Sequence, residues 1–245
     1  MMAARQAAFR EAYRAKIAPL YSGALHVMLI YLIGGAVIWL AMRHIHHPSW
    51  REWLVVPAAF LGCNIFEWFL HMEVMHKPRR LFMGIYRRHT LAHHQFFTHD
   101  VPHYDTWRDF RIVFFPPYAL IIFIAMSAIG AAFLAWAWSA NAAWLLMATT
   151  SGVYLNYEFF HLCCHVKDDR LIRHIPFVNT IRRHHIAHHD TALMMKCNMN
   201  LTYPIADWLF GTSDLDRGFF GHLFNGYDQR HRRRELAAKP LGGGD

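Results

Sequence analysis

Long apolar runs alternate with polar, basic segments along this chain of 245 residues. The four runs are residues 24–42, 54–75, 112–138 and 143–160. Each has about 20 residues, the length at which an α-helix crosses the hydrocarbon core of a bilayer. Pro116 and Pro117 predict a kink or an interfacial turn at the start of the third run. We therefore predict an all-α integral membrane protein with four transmembrane helices.

The basic residues predict the orientation of these helices. Lys and Arg number four in residues 1–23, seven in residues 77–111 and twelve after residue 165, whereas the two remaining loops have two and none. Because basic segments stay in the cytosol, both termini and the 77–111 insert are predicted to be cytosolic. Residues 1–23 are then a cytosolic or interfacial helix, 24–165 the membrane domain, 166–235 a cytosolic helical cap and 236–245 a disordered tail. A bacterial cytoplasmic membrane is the favoured location.

The composition is that of a membrane protein with a substantial polar part. The chain is 55% hydrophobic and 17% charged, with a net charge of +8. Such a charge can indicate nucleic-acid binding, but here the basic residues flank apolar runs, as topology and anionic headgroups require. We expect a membrane and no nucleic acid as partner. The four cysteines show no disulfide spacing, so reduced thiols are expected.

Histidines are concentrated near the ends of the apolar runs. The densest stretch, residues 182–190, reads RRHHIAHHD. At about 100° per residue on a helix, His185, His188 and His189 share one face, and His184 falls outside it. For any single histidine a solvated role is the alternative, but this density favours metal binding.

Two further clusters have an unusual spacing. His71 and His76 would point about 140° apart on an α-helix. Either the helix ends between them, or they bind different metals. In the next cluster His89 and His93 share a face, and His94 turns away.

A carboxylate precedes two of the clusters by one helical turn. Glu158 precedes the pair His161 and His165, and Glu67 precedes His71, whose second ring nitrogen it can orient. Ten histidines exceed the needs of one ion, so we predict two metals, with adjacent histidines diverging to reach both. The predicted ligands are His71, His76, His89, His93, His94, His161, His165, His185, His188 and His189.

Other polar residues are assigned supporting or unrelated roles. The candidates for supporting the ligands without binding metal are Glu67, Glu158, His99, His103, His184 and Asn198. A helix or turn cap is the favoured role for Asn198, and Asp207 is expected to pair with an arginine of the site. The histidines expected to lie away from the site are His44, His46, His47, His174, His222 and His231.

In this order and spacing the clusters resemble the fatty acid hydroxylase superfamily of integral membrane di-iron enzymes, which includes sterol desaturase-like and sphingolipid hydroxylases. The boxes are HMEVMH at 71–76, HTLAHH at 89–94, HLCCH at 161–165 and HIAHH at 185–189. NMNLTYPIADWLFGT at 198–212 is similar to the closing segment of the family. The resemblance covers roughly residues 60 to 213. The second box departs from it, with three intervening residues where many members have two.

The resemblance implies a four-span bundle with a cytosolic helical cap and two iron ions between them. It also implies hydroxylation, or less often desaturation, of a fatty acyl, sphingolipid or sterol-like chain, with O2 as co-substrate. Zinc can replace iron at histidine sites in a purified sample. The sequence has no His-Pro-Gly-Gly haem signature, so a separate electron donor is expected, either ferredoxin or cytochrome b5 with a reductase.

Two other classes of function compete with an enzyme. A metal transporter would place histidines along a path near the bilayer midplane and on both sides, whereas here they gather on one predicted side. A structural scaffold with incidental histidines does not account for the repeated spacings. Within the enzyme class, a desaturase would use the same centre, and the sequence does not separate it from a hydroxylase.

Overall fold

A computed structural model describes residues 2–237, and this part of the chain is helical with no strands, as expected. The helices are α1 (Met2–Ala15), α2 (Gly23–His44), α3 (Trp50–Trp53), α4 (Val55–Leu70), α5 (Met83–Arg88), α6 (His94–Phe96), α7 (Phe110–Val113), α8 (Pro117–Ala137), α9 (Ala140–His165), α10 (Val178–His188), α11 (Ile205–Leu209), α12 (Phe219–Leu223) and α13 (Arg234–Ala237). Two π-helical turns, His71–Met75 and His89–His93, follow α4 and α5 directly. Short 3₁₀ turns cover Arg80–Phe82, Trp107–Asp109 and Ile172–His174. The first two residues of the tail predicted at 236–245 are the last two of α13. The rest of that tail lies outside the described residues.

Three helical segments of residues 2–237 are long and apolar enough to cross a membrane. They are Gly23–His44, Trp50–Met75 and Trp107–Ala137. The predicted fourth span lies inside the continuous helix α9, which is less apolar because it carries residues such as Thr149, Thr150 and Ser151. The fourth span therefore stays a prediction. The two prolines mark an interruption of the helix, since α7 ends at Val113 and α8 begins at Pro117, where a missing N–H has no cost.

The chain forms two compact units, and the first consists of Met1–Phe66 and Tyr104–Leu162. Small side chains let its long helices approach closely, with Ala41, Ala131 and Ala143 buried in one cluster. Gly34 has the same role, because a Cβ there would lie only 2.7 Å from Leu155 Cδ2. Close packing of the long helices thus depends on positions that cannot accept a larger residue without movement.

Helix α1 belongs to this first unit and is held by ion pairs. Arg10 Nη1 donates to Asp105 Oδ2 at 3.1 Å, and Arg14 Nη2 donates to Asp109 Oδ2 at 2.7 Å. Asp109 is fully buried. The helix predicted near the N-terminus is confirmed, and part of its basic face is paired with carboxylates instead of facing solvent.

The second unit consists of Glu67–His103 and Cys163–Asp245. It contains both π-helical turns and α10, the helix predicted from residues 182–190. Helix α10 begins after Phe177, which has a left-handed φ of 66°, and nine of its eleven residues are buried. Residues 77–103 of the predicted 77–111 insert thus belong to one compact unit with the polar C-terminal part of the chain, whereas residues 104–111 belong to the first unit.

Candidate metal centre

Nine of the ten predicted ligands form two buried groups in the second unit. The five-histidine group comprises His71, His76, His89, His94 and His188, and the four-histidine group comprises His93, His165, His185 and His189. Within each group, the nitrogens available for a metal all lie within 4.8 Å of one another. The groups are adjacent, since the ring centroids of His94 and His189 are 4.4 Å apart.

The spacing in the five-histidine group fits one ion. His76 Nε2 lies 3.1 Å from His71 Nε2 and 2.9 Å from His188 Nε2. His89 Nε2 lies 2.8 Å from His71 Nε2 and 3.1 Å from His94 Nε2. Metal–nitrogen bonds of about 2.1 Å at right angles place neighbouring nitrogens about 3.0 Å apart. The four distances are therefore those expected of neighbouring ligands around a single cation.

The four-histidine group has the same spacing with one donor fewer. His185 Nε2 lies 3.2 Å from His165 Nε2 and 3.0 Å from His189 Nε2. The ring of His93 lies 5.0 Å, between centroids, from the rings of both His165 and His189. This group can hold a second ion.

Backbone carbonyls set which nitrogen of several rings points inward. The Nδ1–H groups donate as follows: His71 to Met199 O (2.5 Å), His188 to Cys197 O (2.8 Å), His165 to Pro102 O (2.6 Å) and His189 to Phe97 O (2.6 Å). We assign the protons from these contacts, since a carbonyl can only accept. A neutral ring with its proton on Nδ1 carries a lone pair on Nε2. Lone pairs then face one another at about 3 Å, an arrangement that a bound cation stabilises.

Thr90 orients a further ligand through its hydroxyl group. Its Oγ1 donates to Met75 O at 2.7 Å and lies 3.3 Å from His76 Nδ1, from which it can accept. The Nε2 atom of His76 is thereby left for the centre of the group. Thr90 carries no signal in the sequence, because a lone threonine inside a histidine box has no distinctive spacing.

Burial keeps the ligand rings neutral. It lowers the pKa of His76 to about 2, with a neighbouring histidine ring acting in the same direction. Burial, followed by the surrounding histidines, also lowers the pKa values of His89, His94, His188 and His189 well below the usual range. Because a metal binds only the unprotonated nitrogen, these rings are ready to bind at physiological pH.

The two π-helical turns explain the membership of the five-histidine group. The backbone N–H of His76 donates to His71 O, and that of His94 donates to His89 O. Such an i→i+5 hydrogen bond brings residue i+5 back over residue i. Of the two alternatives for His71 and His76, the structure has the α-helix end, at Leu70, and the alternative that they bind different metals was wrong. The pairing of His89 with His93 was also wrong, since His89 shares its group with His94.

Adjacent histidines serve different groups, as predicted. His93 and His94 go to the four- and five-histidine groups respectively, and His189 and His188 divide in the same way. The face predicted to carry His185, His188 and His189 therefore serves both groups, since His185 and His189 belong to the four-histidine group and His188 to the five-histidine group. A pair of neighbouring side chains on one helix thus connects the two candidate metal positions.

Comparison of the chain with protein-family models, with curated proteins and with solved structures found no match.

The remaining predicted ligand, His161, belongs to neither group. It is buried in the first unit, where its ring lies 5.9 Å from that of Tyr157. Glu158, also buried there, accepts a hydrogen bond from Phe115 N at 3.1 Å. Metal binding by His161 stays a prediction.

The histidines outside the boxes fall into two sets. His99 and His103 are partly buried members of the second unit and belong to neither group. The exposed histidines, as expected, are His44, His46, His47, His174 and His231. His222 was expected at the surface, and this was wrong: it is 3% exposed, with Nδ1 3.2 Å from Gly218 O.

Glu67 supports the site in a way that differs from the prediction. The partner of His71 Nδ1 is Met199 O, so Glu67 does not orient that ring directly. Its Oε1 accepts from Leu201 N at 2.5 Å and Thr202 N at 2.9 Å. The carboxylate therefore holds the segment that supplies the carbonyl, one step removed from the ligand.

A buried polar network lies next to the ligands of α10. His184, outside both groups as predicted, has Nε2 2.9 Å from Asp207 Oδ2. The predicted pairing of Asp207 with an arginine was wrong: Arg183 instead forms an ion pair with Asp214. Asn198, at a left-handed φ of 61°, donates to His184 O at 3.1 Å and to Asp214 Oδ1 at 2.9 Å. Burial raises the pKa of Asp207, but the hydrogen bond from His184 and its other donors hold the net pKa below the usual value.

The donor set defines the chemistry available to the centre. Both groups consist of imidazoles, with no thiolate or carboxylate among the described ligands. Imidazole suits zinc, copper, iron and nickel. Five donors in one group exceed the four of a structural zinc site, which usually recruits cysteine. The arrangement can hold a pair of adjacent transition-metal ions.

Proposed function

We propose that this protein is a membrane-bound, oxygen-dependent hydroxylase that acts on a C–H bond of a lipid through a histidine-ligated di-iron centre. One observation carries the proposal: two adjacent, buried, all-histidine groups occur in a chain whose helices are able to span a membrane. Four spans, cytosolic termini and a bacterial cytoplasmic membrane belong to the same proposal. So does membership of the fatty acid hydroxylase superfamily.

The fit of the residues to two iron ions supports this choice. The five-histidine group offers one imidazole more than the four ligands of a structural zinc site, and neither group includes a cysteine. Cys164, the most deeply buried thiol, is in neither group. When bound, a pair of iron ions supplies the redox chemistry with dioxygen that protein side chains lack.

The residues of the chain have three tasks in such a reaction. The nine histidines would hold the ions, and the carbonyls of Met199 and Cys197 fix the direction of two rings. Burial of every ligand excludes bulk water from the centre. The substrate proposed is a fatty acyl, sphingolipid or sterol-like chain, whose apolar C–H bonds suit a dry site.

The overall reaction needs an electron donor. One atom of O2 enters the C–H bond and the other leaves as water, which consumes two electrons and two protons. We propose that ferredoxin, or cytochrome b5 with its reductase, supplies the electrons, and that solvent supplies the protons.

Lipid mass spectrometry of cells that express the protein tests this function. We compare the wild type with His188→Ala, which removes a ligand, and with the matched control His44→Ala, which removes an exposed histidine. A lipid heavier by one oxygen atom in the wild type and the control, absent with His188→Ala, is the expected result. Loss of two hydrogens would identify a desaturase with the same centre. No lipid change, despite bound iron and a competent donor, would overturn the enzyme and favour metal binding or transport.

A further inference from the structure

The carbonyls that orient two ligands of the five-histidine group come from one irregular segment, residues 197–202. Cys197 O accepts from His188 Nδ1 at 2.8 Å, and Met199 O accepts from His71 Nδ1 at 2.5 Å. The segment is neither helix nor strand. No regular ladder of backbone hydrogen bonds therefore fixes these carbonyls, and other groups must do so.

Asp207 holds the first half of the segment. Its Oδ1 accepts from Met199 N at 2.9 Å, and its Oδ2 accepts from Asn200 N at 2.6 Å. Asn200 returns the contact, since its Oδ1 accepts from Asp207 N at 3.0 Å. Asp207 also accepts from Thr212 Oγ1 at 2.5 Å and lies against His184. The carboxylate is fully buried, so each of these bonds is shielded from water.

Glu67 holds the second half. It accepts two backbone N–H groups, from Leu201 and Thr202, and its Oε2 accepts from Thr202 Oγ1 at 2.6 Å. Glu67 lies four residues before His71, so one end of Trp50–Met75 carries both a metal ligand and a support of that ligand's partner. Four consecutive backbone N–H groups, those of residues 199–202, thus donate to two carboxylates.

We propose that Asp207 and Glu67 form a carboxylate clamp on residues 197–202 that sets the metal affinity of the five-histidine group. Neither carboxylate is a ligand in the described groups, so both are positioning residues that act through Met199 O and its neighbours. The inference rests on the proposed function only in that this group binds a metal ion; it requires no particular substrate.

The structure makes the effect of the clamp specific to one metal. The four-histidine group takes its carbonyl partners from Phe97 and Pro102, outside the clamped segment. A change in the clamp should therefore lower the affinity for the ion in the five-histidine group and leave the affinity for the other ion unchanged. A general loss of structure would lower both affinities.

Cobalt(II) titration of the full-length protein in nanodiscs tests the clamp. The protein is first stripped with a chelator, and both affinities are measured by competition with a chromogenic chelator. We compare the wild type with Asp207→Asn and with Glu67→Gln, which sits on a different element and serves if the first variant fails to fold. Asp109→Asn is the matched control, because Asp109 is as fully buried as Asp207 and is ion-paired, but it belongs to the first unit, outside the clamped segment and both histidine groups.

The wild type is expected to bind two equivalents. In both clamp variants one affinity should fall about 10- to 100-fold, the range for loss of groups that orient ligands, while the other affinity stays unchanged. The clamp would be overturned by equal loss of both affinities, by no loss, or by the same selective loss in Asp109→Asn. A wild type that binds no cobalt would overturn it as well. Two bound equivalents with a selective clamp effect but without any lipid product would overturn only the hydroxylase.

Discussion

Acid should destabilise the metal-free protein through the histidines that burial keeps neutral. Four rings of the five-histidine group lie outside the candidate spans: His76, His89, His94 and His188. Burial lowers the pKa of each well below the value of about 6.5 that an unfolded chain has. Above pH 6.5 the rings are neutral in both states and contribute nothing to the pH dependence. Below it the unfolded chain binds protons that the folded chain excludes, so the free energy of unfolding falls.

The size of the effect follows from the number of rings. Each ring that stays neutral lowers the free energy of unfolding by about 1.4 kcal/mol per pH unit once the pH is well below 6.5, so four rings lower it by up to about 5.6 kcal/mol per unit. Whole proteins are stable by about 5–15 kcal/mol. The second unit of the metal-free protein should therefore unfold between roughly pH 6.5 and 5. The free energy of unfolding would continue to fall until the pH reaches the pKa values of the rings in the folded state, and the pKa of His76 there is about 2.

Thermal unfolding of metal-free and cobalt-loaded protein in the same nanodiscs measures this dependence. Scans at pH 7.5, 6.5 and 5.5 should show a steep fall in Tm for the metal-free form. The cobalt-loaded form should stay folded to lower pH than the metal-free form, because the metal binds the folded state alone. A variant with alanine at His44, His46 and His47, all exposed, should keep the wild-type slope. A metal-free Tm that does not change from pH 7.5 to 5.5 would refute the reasoning.

Two further predictions concern the first unit. Arg14→Ala leaves the fully buried Asp109 without its cation and should lower the free energy of unfolding by roughly 3 kcal/mol, measured by denaturation. This is at the low end for a broken buried pair, because Arg14 is 26% exposed. Arg5→Ala, an exposed change on the same helix, should leave the free energy of unfolding almost unchanged in the same assay. Gly23→Ala would place a Cβ 2.0 Å from a backbone carbonyl oxygen and should lower stability by about 1–3 kcal/mol. A Cβ at Gly35, in the same helix, would have no neighbour within 4 Å, so Gly35→Ala should be neutral or stabilising. A larger loss of stability in Gly35→Ala than in Gly23→Ala would contradict the packing described.

Hydrophobic pattern was sufficient to predict the long helices. The run at 24–42 became α2, and the two prolines marked the start of α8. It was less decisive for 143–160, because threonine and serine in α9 leave a helix whose apolar character is weaker. A long apolar run predicts that a helix forms. It predicts membrane insertion only when few polar residues interrupt the run.

The sequence also located nine histidines that the structure brings together, but not their distribution between two groups. An α-helical period assigned His89 to His93, whereas one i→i+5 turn pairs it with His94. No residue type specifies such a turn. The carbonyls of Met199 and Cys197 were missed for a different reason: every residue has a carbonyl, so those that orient ligands carry no side-chain signal.

The π-helical turn at His71–Met75 has a consequence for how such centres tolerate insertions and deletions. A π turn accommodates one more residue than an α turn between positions that face the same way. Removal of a single residue between His71 and His76 would leave the pair four apart, and an ordinary α-helix places such a pair on one face. Box spacing and helix type can therefore change together without moving the ligands. Two chains whose histidine spacings differ by one residue can hold a metal in the same way, and a fixed spacing is a poor criterion for deciding whether they are related.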